Sequence, residues 1–247
     1  MHTQNGRKYG TFISGLFIQF VSVGLGYGYS VMFAELLNVF NTTRFTASFV
    51  QGLYFLMNFS GGLLWSGIIH KYGTGPTTIF GIILSAAGLF VCSFATHIAE
   101  IIALAGVICG LGMSVCYLST FISVSEAFKD DPRFFLTSLT IGASCGHIAI
   151  PMLFEILIAK YFLSGAFILL AGVVMQCLPF GLVMYLLSGK DHDPKQEKVS
   201  RPVVCDVLVL KDMVLCTVLI NTLLMFMTGN IEALFIVDQL IGKKLFT

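Results

Sequence analysis

Thr140, Ser144, His147 and Pro151 recur at three- and four-residue spacing, and Glu155 continues roughly the same side. That spacing is one face of a helix. An imidazole beside two hydroxyls can hold a polar solute by hydrogen bonds, and His147 can also pass a proton near neutral pH. The competing reading is a neutral imidazole bonded to a neighbouring helix, with Glu155 meeting Lys160. Other polar side chains fall in similar apolar surroundings: Tyr27 and Ser30, then Ser114 and Tyr117, then Asn221 and Glu232. Asn221 and Glu232 are eleven apart and nearly in register on one helical face. Each is a candidate binding residue. Packing between helices also accounts for the tyrosines and serines taken singly, and Glu232 reads first as an interfacial carboxylate near Asp238 and second as a cavity residue. No nucleophile with a base, phosphate loop or metal constellation is present, so no catalytic residue, cofactor or metal is expected.

The elements that carry these residues are long and apolar. The chain is 56% hydrophobic and only 11% charged, with a mean hydropathy of +0.89. A soluble domain carries about 25% charge, so lipid is the expected solvent. Lipid forces every backbone polar group to pair inside a helix or a closed barrel. The apolar runs reach about twenty residues, enough to cross the hydrocarbon as helices, and they lack the alternation of barrel strands. Seven spans follow, over 11–33, 46–69, 77–95, 98–124, 135–159, 164–187 and 213–237. In lipid a mid-helix charge costs about 2.5–3.5 kcal/mol on insertion scales, so embedded ionisable groups are functional candidates.

Basic residues set the expected orientation. With the N-terminus cytosolic, the inner side holds Arg7, Lys8, Lys71, Lys129, Arg133, Lys190, Lys195, Lys198, Arg201 and Lys211. The outer side then holds Arg44, Lys160, Lys243 and Lys244. Ten against four selects the N-in arrangement. It places the sequon at Asn41 outside, in a short loop close to the membrane, whereas the match at Asn58 lies inside a span. Net charge is +1, which argues against nucleic acid. The seven cysteines show no zinc spacing and read as small buried side chains. The run after Arg7 and Lys8 is too long for a signal peptide core and reads as a retained span.

The densest charge lies in SGKDHDPKQEKVSRPVVCDVLVLK, residues 188–211. The expected organisation is a cytosolic tail (1–10), a six-span N-terminal bundle (11–187), a cytosolic linker (188–212) and the first span of a second bundle (213–247). Seven spans also suit a receptor, but a receptor of the G-protein-coupled kind has its N-terminus outside. Six spans, a polar linker and further spans resemble a major facilitator superfamily transporter, whose halves are each built from two inverted three-helix repeats. The expected fold class is therefore an all-α polytopic membrane helical bundle of the major facilitator type.

Three stretches look like the monocarboxylate transporter family within that superfamily. GLGYGYSVMFAELL (24–37) is similar to its small-residue run followed by aromatics and Glu-Leu-Leu. GGLL (61–64) followed by HKYGTGP (70–76) resembles its loop between spans two and three. SEAFKDDPRFFLTSLTIGASCG (125–146) resembles its signature between spans four and five. There are departures. The family's N-terminal aspartate motif is reduced to GRKYGT (6–11), Tyr27 stands about where some members carry a carboxylate-binding lysine, and Gly75 replaces the arginine before Pro76. The span-eight Asp/Arg pair that couples protons in the family lies beyond this chain's spans.

The resemblance implies a secondary transporter in the plasma membrane that moves a small organic anion, such as a monocarboxylate, by alternating access. It leaves room for proton symport and for a single-span accessory protein as partner. The loops holding His70, Lys71, Gly73, Glu126, Asp130 and Arg133 are expected to form a cytoplasmic latch, with Lys71 and Arg133 pairing with Glu126, Asp130 or Asp131. Gly24/Gly28, Gly106/Gly110 and Gly142/Gly146 are expected to bring helices close. One span past the linker reads as a fragment, which by itself is expected to be inactive. A seven-span receptor and a non-transporting truncated regulator are the alternatives.

Overall fold

The computed structural model describes residues 2–129 and 131–188. All their regular structure is helical. α1 is His2–Phe40, α2 Arg44–Tyr72, α3 Thr74–Cys92 and α4 Ile98–Ile101. A π-helical segment, Ile102–Ile108, joins α4 to α5, Cys109–Ala127. α6 is Pro132–Met175 and α7 is Cys177–Ser188. Most helices outrun the expected spans, by up to nine residues at an end, because helix propensity does not stop where the hydrocarbon stops; α3 instead stops at Cys92, three short of the expected end.

Among the described residues, four stretches are long and apolar enough to cross a membrane: Gly6–Phe40, Thr74–Cys92, Ile98–Ala127 and Pro132–Leu187. α2 supplies a further one as a pair bent by 49° next to Gly62. The last stretch has 56 residues, about 84 Å of helix at 1.5 Å per residue, against a hydrocarbon core of about 30 Å. It is broken at Phe162, where φ is 58° and ψ 179°. Divided at that break, the described helices give six segments, numbered here as spans in chain order: α1 is span one, α2 span two, α3 span three, Ile98–Ala127 span four, and the two parts of the long stretch spans five and six.

Local chemistry marks the turns. Asn41 ends α1 with φ 46°, a conformation that asparagine tolerates. The Thr43 hydroxyl caps α2 by accepting the Thr46 N–H at 3.3 Å. Gly73, with φ 87°, ends α2 by donating its N–H to the Ile69 carbonyl at 2.8 Å, and its own carbonyl accepts from the Thr77 hydroxyl at 2.7 Å. With ψ at 165° this is a conformation almost confined to glycine, and a side chain there costs about 1–3 kcal/mol. Gly73→Ala is therefore expected to lower the melting midpoint of the purified protein, while Gly52→Ala, at an open helical site, leaves it unchanged or raises it.

Connections alternate between two ends of the bundle. The end where α1 begins also holds the α2–α3 and α5–α6 turns and the finish of α7. The far end holds the turns at Asn41, at Phe94–His97 and at Phe162. Packing follows a two-fold pattern. Span one lies along span five, and span two lies along span four. Span three lies on span four, and span one on span six; spans three and six also touch, as do one and four. Exchanging one with four, two with five and three with six maps each contact onto another. Because odd and even spans run oppositely, that exchange inverts the three-helix unit.

Glycines make both parallel pairs close. A Cβ at Gly24 would lie 2.7 Å from the Gly146 carbonyl, and one at Gly28 would lie 2.5 Å from the Phe154 ring. On the other pair, a Cβ at Gly110 would lie 2.9 Å from the Tyr54 carbonyl, and one at Gly106 would lie 3.3 Å from that of Val50. Tyr29 joins the pairs. It is 1% exposed, stands edge-on to Tyr54 and Phe154 and donates its hydroxyl to the Ala105 carbonyl at 3.4 Å. The Cys109 N–H reaches Leu104, five residues back, rather than Ala105. The π register thus leaves the Ala105 carbonyl turned toward Tyr29.

Exposed positions include large apolar side chains, among them Phe80, Phe90, Ile141, Ile148 and Met152.

Candidate functional site

Span one is almost wholly enclosed. From Val21 to Ser30 every residue is buried except Tyr27, which is half-buried. Gly24 and Gly28 admit span five on one side. Gly26 admits span two on another, since a Cβ there would meet the Phe55 ring at 2.6 Å. Tyr27 projects between them, and its ring lies 4.0 Å from the imidazole of His147, tilted by 32°. His147 is held there by its neighbour Gly146, whose Cβ position is filled by the Phe20 carbonyl of span one. The His147 Nε2 is buried and makes no hydrogen bond to another described residue, so its capacity as donor or acceptor is unused.

The Tyr27–His147 stack continues as an aromatic wall. Tyr27 meets Phe55 edge-on at 5.3 Å, Phe55 stacks with Phe59 at 6.1 Å, and Phe59 meets Tyr117 at 5.6 Å. Phe121 follows Tyr117 at 5.0 Å. Spans one, two, four and five thus contribute rings to one strip. Behind it, hydrogen bonds tie span one to span four. Gln19 Nε2 donates to the Tyr117 carbonyl at 3.2 Å, and Ser22 to that of Met113 at 3.4 Å. The Tyr54 hydroxyl donates to the Ser22 carbonyl at 2.5 Å. The amides of Gln51 and Asn58, each 2% exposed, make no hydrogen bond among the described residues.

The structure brings together Tyr27, His147 and Tyr117 of the expected binding residues. Ser30 and Ser114 are buried. The Ser30 hydroxyl donates to the Tyr27 carbonyl at 2.7 Å, and Ser114 packs where a Cβ on Gly61 would sit. Ser144 is exposed and donates to the Thr140 carbonyl at 3.0 Å, as Thr140 does to Leu136 at 3.1 Å. The span-five polar stripe is thus one open face, with His147 at its edge. Asn221, Glu232 and Asp130 lie outside the described residues, as do the linker and seventh span.

Phe55, Phe59, Gln19, Gln51 and Asn58 escaped the sequence reading. Their signal was present: three amides inside apolar runs, and aromatics four apart on span two.

At the end where α1 begins, the junction is aromatic. Phe128 and Phe135 stack at 3.5 Å, Phe12 meets Phe135 at 5.2 Å, and Tyr9 meets Phe128 at 6.1 Å. Lys8 lies over the Phe128 ring at 6.0 Å. Lys71 lies over Tyr72 at 5.1 Å, and His70, Glu126 and Arg133 are exposed. Gly73 supplies the turn. Gly75 is sealed by span six, since a Cβ would lie 2.5 Å from the Tyr185 Cα. Arg7 donates to the Leu187 carbonyl at 2.6 Å, a cation at a helix C-terminus, where it is favoured.

The chain is 27% identical to monocarboxylate transporter 1 of Bos taurus over 184 residues, covering 72% of this chain and 36% of the relative. It is 28% identical to monocarboxylate transporter 4 of Gallus gallus over 207 residues, covering 80% and 43%. Monocarboxylate transporter 6 of Mus musculus is 25% identical over 191 residues, covering 77% and 41%. The chain therefore spans less than half the length of these curated relatives. The family model described as Major Facilitator Superfamily matches residues 15–242. With the helices, their inverted pairing and that match in agreement, the chain is a multi-pass, all-helical membrane protein that belongs to the Major Facilitator Superfamily.

Proposed function

We propose that this bundle forms one wall of a secondary transporter that moves a small organic anion, most simply a monocarboxylate, by alternating access. The N-terminus is cytosolic in this reading, and the membrane is the plasma membrane. The observation that carries it is the Tyr27–His147 stack. Tyr27 stands where a resembling family places a carboxylate-binding lysine, and the ring beside it belongs to the one histidine within the described spans five and six. His147 Nε2 supplies the hydrogen bond, and in its protonated form the positive charge, that a carboxylate needs. The aromatic wall supplies the apolar surface for the rest of a small acid. The names of the relatives support the same solute class. A proton as co-substrate fits an imidazole at this position, and an accessory single-span protein belongs to the same reading.

The test is chemical modification of His147 by diethyl pyrocarbonate in the purified protein, with the exposed His70 and His97 as internal references. Saturating lactate or pyruvate is expected to slow modification of His147 at least tenfold, about 1.4 kcal/mol, and to leave the references unchanged. Equal rates with and without the acids, or equal protection by a neutral sugar, would remove the support for an anion site here.

A further inference from the structure

At the far end of the bundle, the ends of α1 and α3, the start of span four and the chain just past Phe162 enclose a cavity of about 340 Å³. Its floor is Cys92, Ile101, Leu163 and Phe167, all buried. Its rim includes the exposed Thr96 and Ser164. An apolar floor beneath a hydroxyl-bearing rim, at a volume typical of small ligand sites, suits a molecule with an apolar body and a polar head.

Two further observations bear on the occupant. The rim is fixed: the Glu100 carboxylate accepts the N–H of Thr96 at 2.7 Å and of His97 at 3.3 Å. Both non-glycine residues with positive φ among the described residues, Asn41 and Phe162, directly adjoin lining residues, Phe40 and Leu163. Strained backbone persists where the surroundings over-determine it, and it clusters at sites that bind. The end that holds the mouth also carries exposed aromatics: Phe162 at 80%, Phe94 at 69% and Tyr161 at 54%. Tyrosine gathers at the headgroup level, and the exposed phenylalanines add apolar surface beside it. The mouth therefore opens where lipid, not a dissolved solute, is the abundant molecule.

We propose that this cavity takes the end of an acyl chain from a membrane lipid, with the polar part of the lipid at the Thr96–Ser164 rim. The floor holds no charged side chain, so a small organic anion would find no partner there. A lipid tail gains no hydrophobic energy on leaving other tails. Occupancy instead follows from the lipid being the solvent, from packing against Ile101 and Phe167, and from hydrogen bonds at the rim.

The experiment reconstitutes the whole chain in nanodiscs that contain a phospholipid with a photoreactive diazirine near the end of one acyl chain. After irradiation, mass spectrometry locates the adducts. Adducts on Ile101, Leu163 and Phe167 are expected to exceed those on the exposed Phe80 and Phe90 of α3 several-fold. Ser164→Trp and, independently, Val39→Trp cover the mouth from exposed positions and are expected to reduce floor adducts about tenfold while Phe80 stays labelled. A floor labelled no more than Phe80 in the unmodified protein overturns the proposal, as does floor labelling that neither folded cap variant reduces. Protection of the Cys92 thiol from a maleimide by lactate, without any effect of lipid, also overturns it. None of these readouts depends on His147, so the lipid site and the anion site stand or fall separately.

Discussion

Gly146→Leu is expected to destabilise the bundle by about 3 kcal/mol or more, the upper part of the range for overpacked interiors. The Cβ alone would occupy the place of the Phe20 carbonyl. A backbone carbonyl in a helix cannot rotate aside as the end of a flexible side chain can. Span five would have to leave span one, and with it the face that carries His147. Gly24→Leu strikes the same seam from the other side, since its Cβ would meet the Gly146 carbonyl at 2.7 Å and Ile150 at 2.6 Å. Gly110→Leu applies the same wedge to the inverted counterpart, spans two and four. Gly172→Ala, with nothing within 4 Å of its Cβ, is the control. Thermal unfolding in detergent, followed by the monodisperse fraction, checks the series. If Gly146→Leu melts with Gly172→Ala, the glycine seam does not hold the bundle together.

The glycine pairs were legible because spacing of four on an apolar helix has one physical use, close approach of backbones. Spacing does not name the partner. That Gly24 faces Gly146, and Gly110 faces Tyr54, depends on how each helix is rotated, which only the packed bundle decides. The same limit applied at the site. Tyr27 and His147 each stood out singly, as polar groups in apolar runs, yet nothing in the chain between them marks a stack at 4.0 Å. The π segment left no trace, because its register answers to Tyr29 from another span. The break at Phe162 lacks a glycine or proline of its own; its nearest signals are Lys160 before it and Gly165 after it. At the α1-beginning end the charges stood out in the sequence, while the contacts among the rings of Phe12, Phe128 and Phe135 did not. Residue charge is easy to count in a sequence, but ring contacts require the fold.

The Tyr27–His147 stack leads to the second large effect. His147→Ala is expected to weaken binding of a small carboxylate by about 10- to 100-fold, the worth of one hydrogen bond to a charged group at about 1.5–3 kcal/mol. The melting temperature should change little, because the imidazole is half-buried, its Nε2 holds no other described residue, and the seam beside it is made by Gly146. Tyr27→Phe keeps the ring that supports His147 and is expected to bind nearly as the parent does. The informative variant is the double substitution Tyr27→Lys with His147→Ala. The two ring centroids lie 4.0 Å apart, so an ammonium extended from position 27 reaches the region the imidazole vacates. Binding should return, now nearly independent of pH between 5 and 8, since lysine keeps its charge across that range while histidine does not. Titration calorimetry with lactate, run on the single and double variants at two pH values, separates the cases. Recovery in the double variant identifies a positive charge at this corner as the anion's partner. Failure to recover, with both proteins folded, would mean that His147 acts by shaping span five against span one rather than by meeting the solute.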